Sequence, residues 1–402
     1  MLRFLTAGES HGPSLTMILE GMPAGLKIDF DAITAQLRRR QSGYGRGRRM
    51  AIESDRAQAL SGVRYGVTTG SPIALSIPNR DWENWQRTMA VEGTPTAETP
   101  GVDRPVVTRP RPGHADLAGV AKYGHEDVRN VLERASARET ASRVAVGSIA
   151  RQLLEHLGTR IVSHVASLGD AAIADVLAVT FEDVEAIPSD SALHCVDGDI
   201  EKRMIAAIDA ARDAGDTLGG SFEVIARGVP VGLGSHVQWD RKLDGRLGQA
   251  LMSIPAIKAV GIGRGHGVAY LPGSRIHDEI LPPASGHRFS QLPVERPTNN
   301  AGGLEGGITN GQDLRVTAYM KPIATLMKPL RSIDINTLEL SPAAIERSDV
   351  CAVPAAAVVG EAMVAIVLAE AAIEKFGGDS LEEMVANWTA FRERTTHRFT
   401  KT

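Results

Sequence analysis

Two histidines and one aspartate stand in short segments whose neighbours would fix their approach to a ligand: His11, His114 and Asp349. His11 lies in GESHG, Gly8 to Gly12, where two glycines let backbone turn tightly and come close to a bound molecule. A plain structural turn with a surface histidine accounts for the pattern equally well. His114 ends TRPRPGH, in which Pro110 and Pro112 hold the chain extended and deliver the imidazole beside Asp116 at a fixed angle, as proton transfer requires. A histidine that caps the following helix is the alternative. Asp349, in RSDVCAVPAA with Arg347, reads as a base beside an anion contact or as an ordinary surface pair.

Around these lie cations suited to phosphate and carboxylate. The run Arg38 to Met50, RRRQSGYGRGRRM, holds six arginines among Gly43, Gly45 and Gly47, so a loop could fold around an anion and grip it bidentately. A nucleic-acid patch or a solvated face would also be arginine-rich, but the acidic whole chain and the interleaved glycines favour a small anion. ERASARETASR, Glu133 to Arg143, places Ser136 and Arg138 near a helix start, where free N–H groups attract anions. Pairing of Glu139 with Arg143 at i,i+4 would explain some of those charges without a ligand. AGGLEGGITNGQ, Ala301 to Gln312, lacks the spacing of a dinucleotide fingerprint but could lie flat against a planar ring. Lys321 and Thr325, in KPIAT, add a cation and a hydroxyl suited to a cofactor's phosphate or ring carbonyl.

Elements must hold these loops in place. Strand-like runs are Leu15–Leu19, Ile73–Ile77, Ser221–Ala226 and Leu314–Ala318. Helical periodicity predicts Asp31–Gln41, Val131–Leu157, Ile200–Ala214, Leu243–Ile254 and Gly360–Phe376. The absence of regular strand–helix alternation argues against a doubly wound sheet and for an α+β protein with helices against antiparallel sheets. No convincing linker divides the chain, which reads as one domain over 1–402. Segments 82–104 and 277–297 are rich in proline and polar residues, and are expected to be mobile.

Composition excludes several classes. The chain has 402 residues, 43% hydrophobic and 23% charged, which is globular rather than disordered. Aromatic residues make up only 4%, too few for a stacking surface along single-stranded nucleic acid. The net charge of −4 offers no general attraction to polyanions. Cys195 and Cys351 form no metal-type or redox-type pair, so no metal is expected and a reducing cytoplasm is the simplest setting. The apolar tract from Cys351 to Ala372 is interrupted by Pro354, Gly360 and Glu361 and reads as a buried helix, not a membrane span.

In their order and spacing, GESHG, SGYGRG, RPGHAD, ERASARET, AGGLEGGITNG, KPIAT and RSDVCAVPAA closely resemble the chorismate synthase family over nearly the whole chain. The resemblance implies a β-α-β sandwich, a central layer of helices between antiparallel sheets, assembled as a homotetramer. It implies a 1,4-elimination of phosphate from 5-enolpyruvylshikimate 3-phosphate, requiring reduced FMN without net redox change. By the same resemblance His11 protonates the leaving phosphate, His114 lies by the N(1)–C(2)=O edge of the flavin, and Asp349 accepts or relays the carbon 6 proton by way of flavin N(5). Substrate contacts would be Ser10, Arg40, Arg46, Arg49, Arg111, Ser136, Arg138 and Arg347. Flavin contacts would be Arg134, Ala135, Ser136, Pro255, Ala256, Gly306, Lys321, Pro322, Ile323, Ala324, Thr325 and Arg347. Arg40 and Arg46 are also candidate contacts for NADPH as reductant. A flavin oxidoreductase and a nucleic-acid-binding protein remain as rivals; the first would consume reductant stoichiometrically and the second would bind polyanions with steep salt dependence.

Overall fold

Alternation of apolar and polar side chains builds the first sheet. Leu15, Met17 and Leu19 are buried on one face of the strand Ser14–Glu20, and they stand opposite Ile77, Leu75 and Ile73 of the antiparallel strand Ile73–Pro78. Arg3–Ala7 and the short Gln58–Ala59 complete a four-stranded antiparallel sheet in the order Arg3–Ala7, Ser14–Glu20, Ile73–Pro78, Gln58–Ala59. The computed structural model describes residues 1–46, 55–283, 291–346 and 348–400.

A second antiparallel sheet has five strands, in the order Ile257–Ile262, Leu314–Met320, Gly220–Arg227, Arg160–Leu168, Ala171–Ala172. Its middle strand Gly220–Arg227 is buried from Ser221 to Ala226, and the one charge in that stretch, Glu223, accepts hydrogen bonds from Arg315 of the neighbouring strand. The helices Thr140–Glu155 and Val353–Phe376 pack along each other between the sheets, the first against Ser14–Glu20 and the second against Arg160–Leu168 and Gly220–Arg227. The arrangement is the expected α+β sandwich. Small residues set the spacing: a Cβ on Gly147 would come within 2.4 Å of Ala362, and one on Gly360 within 2.5 Å of the Phe222 ring. Among the described residues, Val353–Phe376 is the one helix long and apolar enough to cross a membrane, and it is a core helix enclosed by the rest of the chain.

Two of the expected helices differ from the observed ones by more than two residues at a boundary; the other three agree to within two. The segment expected as one helix, Val131–Leu157, is broken: a short helix Arg129–Leu132, a 3₁₀ turn Ala137–Glu139, then Thr140–Glu155. The reason is Ser136, whose backbone is extended and whose hydroxyl accepts from the Arg138 N–H, so a cap interrupts the periodic pattern. The last core helix begins at Val353 rather than Gly360, because Pro354 sits in its first turn, where a missing N–H costs nothing. Segment 82–104 carries part of a 3₁₀ turn, Arg80–Asn84, and a buried Trp85; within 277–297, residues 284–290 lie outside the described residues.

Candidate active site

The loop after the first strand is held from three sides. Gly8 has φ +103°, and a Cβ there would meet the Ser14 carbonyl at 2.3 Å, so only glycine fits. Asn79 donates to the Glu9 and Gly12 carbonyls, and Arg134 donates to the carbonyls of Thr6 and Gly8. The broken helix supplies the third side: Ser10 N–H donates to the Glu133 carbonyl at 3.0 Å, and the hydroxyls of Ser136 and Ser10 lie 3.1 Å apart. His11 points its Nδ1 at the Glu133 carboxylate, 2.9 Å from each oxygen, and its ring stacks on Trp85 at 3.7 Å.

Beneath this loop lies a buried charge cluster. Arg138 donates to both oxygens of Asp55 and to Asn79 Oδ1, and Arg40 reaches the same Asp55 at 3.1 Å. Burial lowers the Arg40 pKa to about 10; Asp55 opposes that shift, while the nearby charges of Arg138 and Arg46 reinforce it. Its Nε has no hydrogen-bond partner among the described residues, which is a cost that an anionic ligand would relieve. Arg46 pairs with Asp349 at 2.8 Å, and the Gly45 carbonyl accepts from Val350 N–H, so the Arg38–Arg46 segment and the Asp349 segment are clasped together.

That pairing makes a prediction. Arg46→Ala is expected chiefly to raise the substrate KM and Asp349→Ala chiefly to lower kcat, yet the two losses should be coupled. In a double-mutant cycle on kcat/KM the coupling energy should fall at about 0.5–3 kcal/mol, as for residues in contact. Strict additivity would mean that the ion pair plays no part in turnover.

A second cluster forms around His114. Its Nδ1 lies 2.5 Å from Asp116, and Arg111 donates to both Asp116 oxygens and, at 2.9 Å, to the Thr325 hydroxyl. Burial would raise the Asp116 pKa, but hydrogen bonds from His114 and Arg111 hold its carboxyl well below the usual range. Lys321 Nζ donates to the Gly113 carbonyl, and Lys321 N–H donates to the carbonyl of Ala256, a residue held at φ +68°. Gly113 is itself at φ +79°, where a Cβ would lie 3.4 Å from that lysine nitrogen. Burial, and then the charge of Lys258, lower the Lys321 pKa. Thr217 donates to the Ile323 carbonyl and Leu218 N–H to the Val350 carbonyl, so one short stretch ties KPIAT to the Asp349 segment.

The structure thus brings Ser10, His11, Arg40, Ser136 and Arg138 into one cluster and Arg111, His114, Ala256, Lys321 and Thr325 into another, with Pro322, Ile323 and Ala324 between the last two. Pro255 precedes Ala256 in the same turn. Arg46 and Asp349 border the first cluster. Arg134 serves the Gly8 loop through its guanidinium, with Ala135 beside it, and Gly306 lies in a turn near His236 that no hydrogen bond among the described residues joins to either histidine. Arg49 and Arg347 lie outside the described residues. Sequence reasoning missed Asp55, Asn79, Trp85, Arg129 and Glu133. Glu133 alone had a signal, its place in ERASARET. A cavity of about 450 Å³ lined by Lys27, Asp29, Gln36, Arg151 and Glu155 includes none of the site residues. Among the described residues no group of three or more His, Cys, Asp or Glu could hold a metal.

Buried arginines, beside two histidines each backed by a carboxylate, are chemistry suited to binding a small polyanion and moving protons. The sequence profile of the chorismate synthase family matches residues 2–373. Chorismate synthases of Desulforamulus reducens and Geobacter sulfurreducens are 58% and 56% identical to the chain, each over 98% of it and 99% of the relative. A crystal structure of a chorismate synthase superposes with a TM-score of 0.77 at 42% identity, covering 98% of both chains. The chain belongs to the chorismate synthase family. It is a carbon–oxygen lyase for the last step of the shikimate pathway, loss of phosphate from 5-enolpyruvylshikimate 3-phosphate to give chorismate; a requirement for reduced FMN is a property of that family.

Proposed function

We propose that the two clusters together form one site, in which each contributes residues to both substrate and flavin. Ser10, Arg40, Arg46, Arg49, Arg111, Ser136, Arg138 and Arg347 bind the phosphate and two carboxylates of the substrate. The observation that carries the reading is the crowding of Arg40 and Arg138 on one buried Asp55 beneath the His11 loop, two cations on a single carboxylate, with the Arg40 Nε left without a hydrogen-bond partner among the described residues. His11 donates a proton to the departing phosphate, and Asp349 accepts or relays the carbon 6 proton.

The residues present fit a flavin. Around Gly113, whose φ of +79° favours glycine, they offer the Lys321 amine, the Thr325 hydroxyl and the backbone of Pro255–Ala256 to a ring with a phosphate tail. Arg134, Ala135, Ser136, Gly306, Pro322–Ala324 and Arg347 complete the proposed FMN set, with His114 at the N(1)–C(2)=O edge. When bound, reduced FMN supplies electron density that helps phosphate leave and is recovered as the proton departs. NADPH, held by Arg40 and Arg46, is the proposed reductant, and the working form is a cytoplasmic homotetramer of single-domain chains.

An anaerobic assay with chemically reduced FMN tests the whole. Phosphate and chorismate should appear in equal amounts with and without NADPH, and reduced flavin should not be consumed. Stoichiometric consumption of reductant would instead make the chain an oxidoreductase. Flavin should also bind more tightly when substrate is present, because the substrate shares the cationic wall and covers the ring. Titration of flavin fluorescence reads this coupling, and an affinity unmoved by substrate would refute a shared site.

A further inference from the structure

We propose that Glu133 is a positioning residue for His11, fixing which imidazole nitrogen meets the substrate; this rests on the reading of His11 as the proton donor. The Glu133 side chain is 1% exposed, and its carboxylate lies 2.9 Å from Nδ1 through both oxygens while also accepting the His11 backbone N–H at 2.9 Å. Ring and main chain of one residue are thus gripped by one carboxylate, with Trp85 stacked on the ring at 3.7 Å as a second restraint. Arg129, also buried, stands 3.6 Å from the same carboxylate. A carboxylate accepts but does not donate, so Nδ1 must carry its hydrogen toward Glu133. Nε2 makes no hydrogen bond among the described residues and is left as the nitrogen available to substrate. In the proton transfer the ring begins with a hydrogen on each nitrogen. The Nε2–H bond breaks, the proton passes to the oxygen of the departing phosphate, and the electron pair stays on Nε2. The neutral ring that remains keeps its Nδ1 hydrogen shared with Glu133, which is the tautomer the carboxylate holds.

A merely structural Glu133 would fasten the Gly8–Gly12 loop and nothing more, so the test must separate the loop from the imidazole. Single-turnover rates with reduced FMN, together with substrate and flavin affinities, are to be measured for E133Q, E133D, H11A and H11A/E133Q. E133Q should lower the rate roughly 10-fold or more with affinities retained, a range bounded by about 10- to 100-fold for carboxylates that orient metal-bound histidines and about 10⁴-fold for the aspartate of a Ser-His-Asp triad. E133D, which keeps the charge, should recover part of the rate. If Glu133 acts through His11, the double variant is no slower than H11A alone. A double variant slowed by the product of the single effects would overturn the proposal, as would E133Q at the wild-type rate while H11A is slow. H11A at the wild-type rate would remove the proton-donor reading itself and Glu133's role with it. Should E133Q fail to fold, E133D combined with H11A reads the same cycle.

Discussion

His11→Ala is expected to slow phosphate release by about 10²–10⁴-fold, the usual cost of losing a general acid, while leaving the ternary complex intact. Without the imidazole, phosphate must depart as a more highly charged and poorer leaving group, or take its proton from water. The binding cations are untouched, because Arg40 and Arg138 are held by Asp55 and Asn79 rather than by His11. Substrate affinity and the reduced-flavin spectrum should therefore match the wild type. His114→Ala makes the contrast. That ring is bonded to Asp116, and Asp116 keeps Arg111 and the Arg111 backbone as partners after the ring is gone, so the fold should survive. What should change is the flavin, whose spectral pH titration with substrate bound would be displaced. Anaerobic titration of both variants checks the division of labour: identical spectra with identical rate losses would contradict it, and a wild-type rate in either variant would remove that histidine from the mechanism.

How far the sequence led depends on the range of each interaction. Every strand read from alternation is present, since period-2 burial in Leu15–Leu19 or Ile73–Ile77 is a local property that needs no partner to be seen. The same holds for the histidine loops, whose glycines and prolines announce their own geometry. Local pattern failed where a cap competed with it: Val131–Leu157 has helical periodicity throughout, but one extended serine breaks the helix and so turns Glu133 toward His11. Partners distant in sequence left no trace at all. Asp55 gathers Arg40 and Arg138 from 15 and 83 residues away, and Trp85 reaches the His11 ring from a segment that composition marks only as a loop. A carboxylate or an indole in an irregular stretch looks the same whether it serves the site or faces water.

The charge inside the helical layer gives the largest expected effect on stability. Glu361 lies on the core helix Val353–Phe376 and accepts two hydrogen bonds from Arg39, one from Arg151 and one from Ser163, joining two other helices and a strand of the five-stranded sheet. Burial by itself would raise its pKa. Arg39, by charge and by hydrogen bond, followed by Arg151 and Ser163, reverses this and brings it from 4.5 down to about 2. A depressed folded-state value means stability that is fully present above the unfolded pKa near 4.5 and is lost as pH falls through about 2. The shift corresponds to about 3 kcal/mol at neutral pH. Glu361→Gln keeps the shape and a contact for Ser163 but leaves Arg39 and Arg151 facing one another without a counter-charge. Because both arginines retain some contact with water, the loss should be about 2–4 kcal/mol, toward the lower end of what breaking a buried pair costs. The signature is the pH dependence of the difference between wild type and variant: a gap in urea midpoint at pH 7 that narrows below pH 4.5 and closes toward pH 2. A gap of constant size across that range would assign the loss to packing, because the shape of the side chain, unlike its charge, does not titrate.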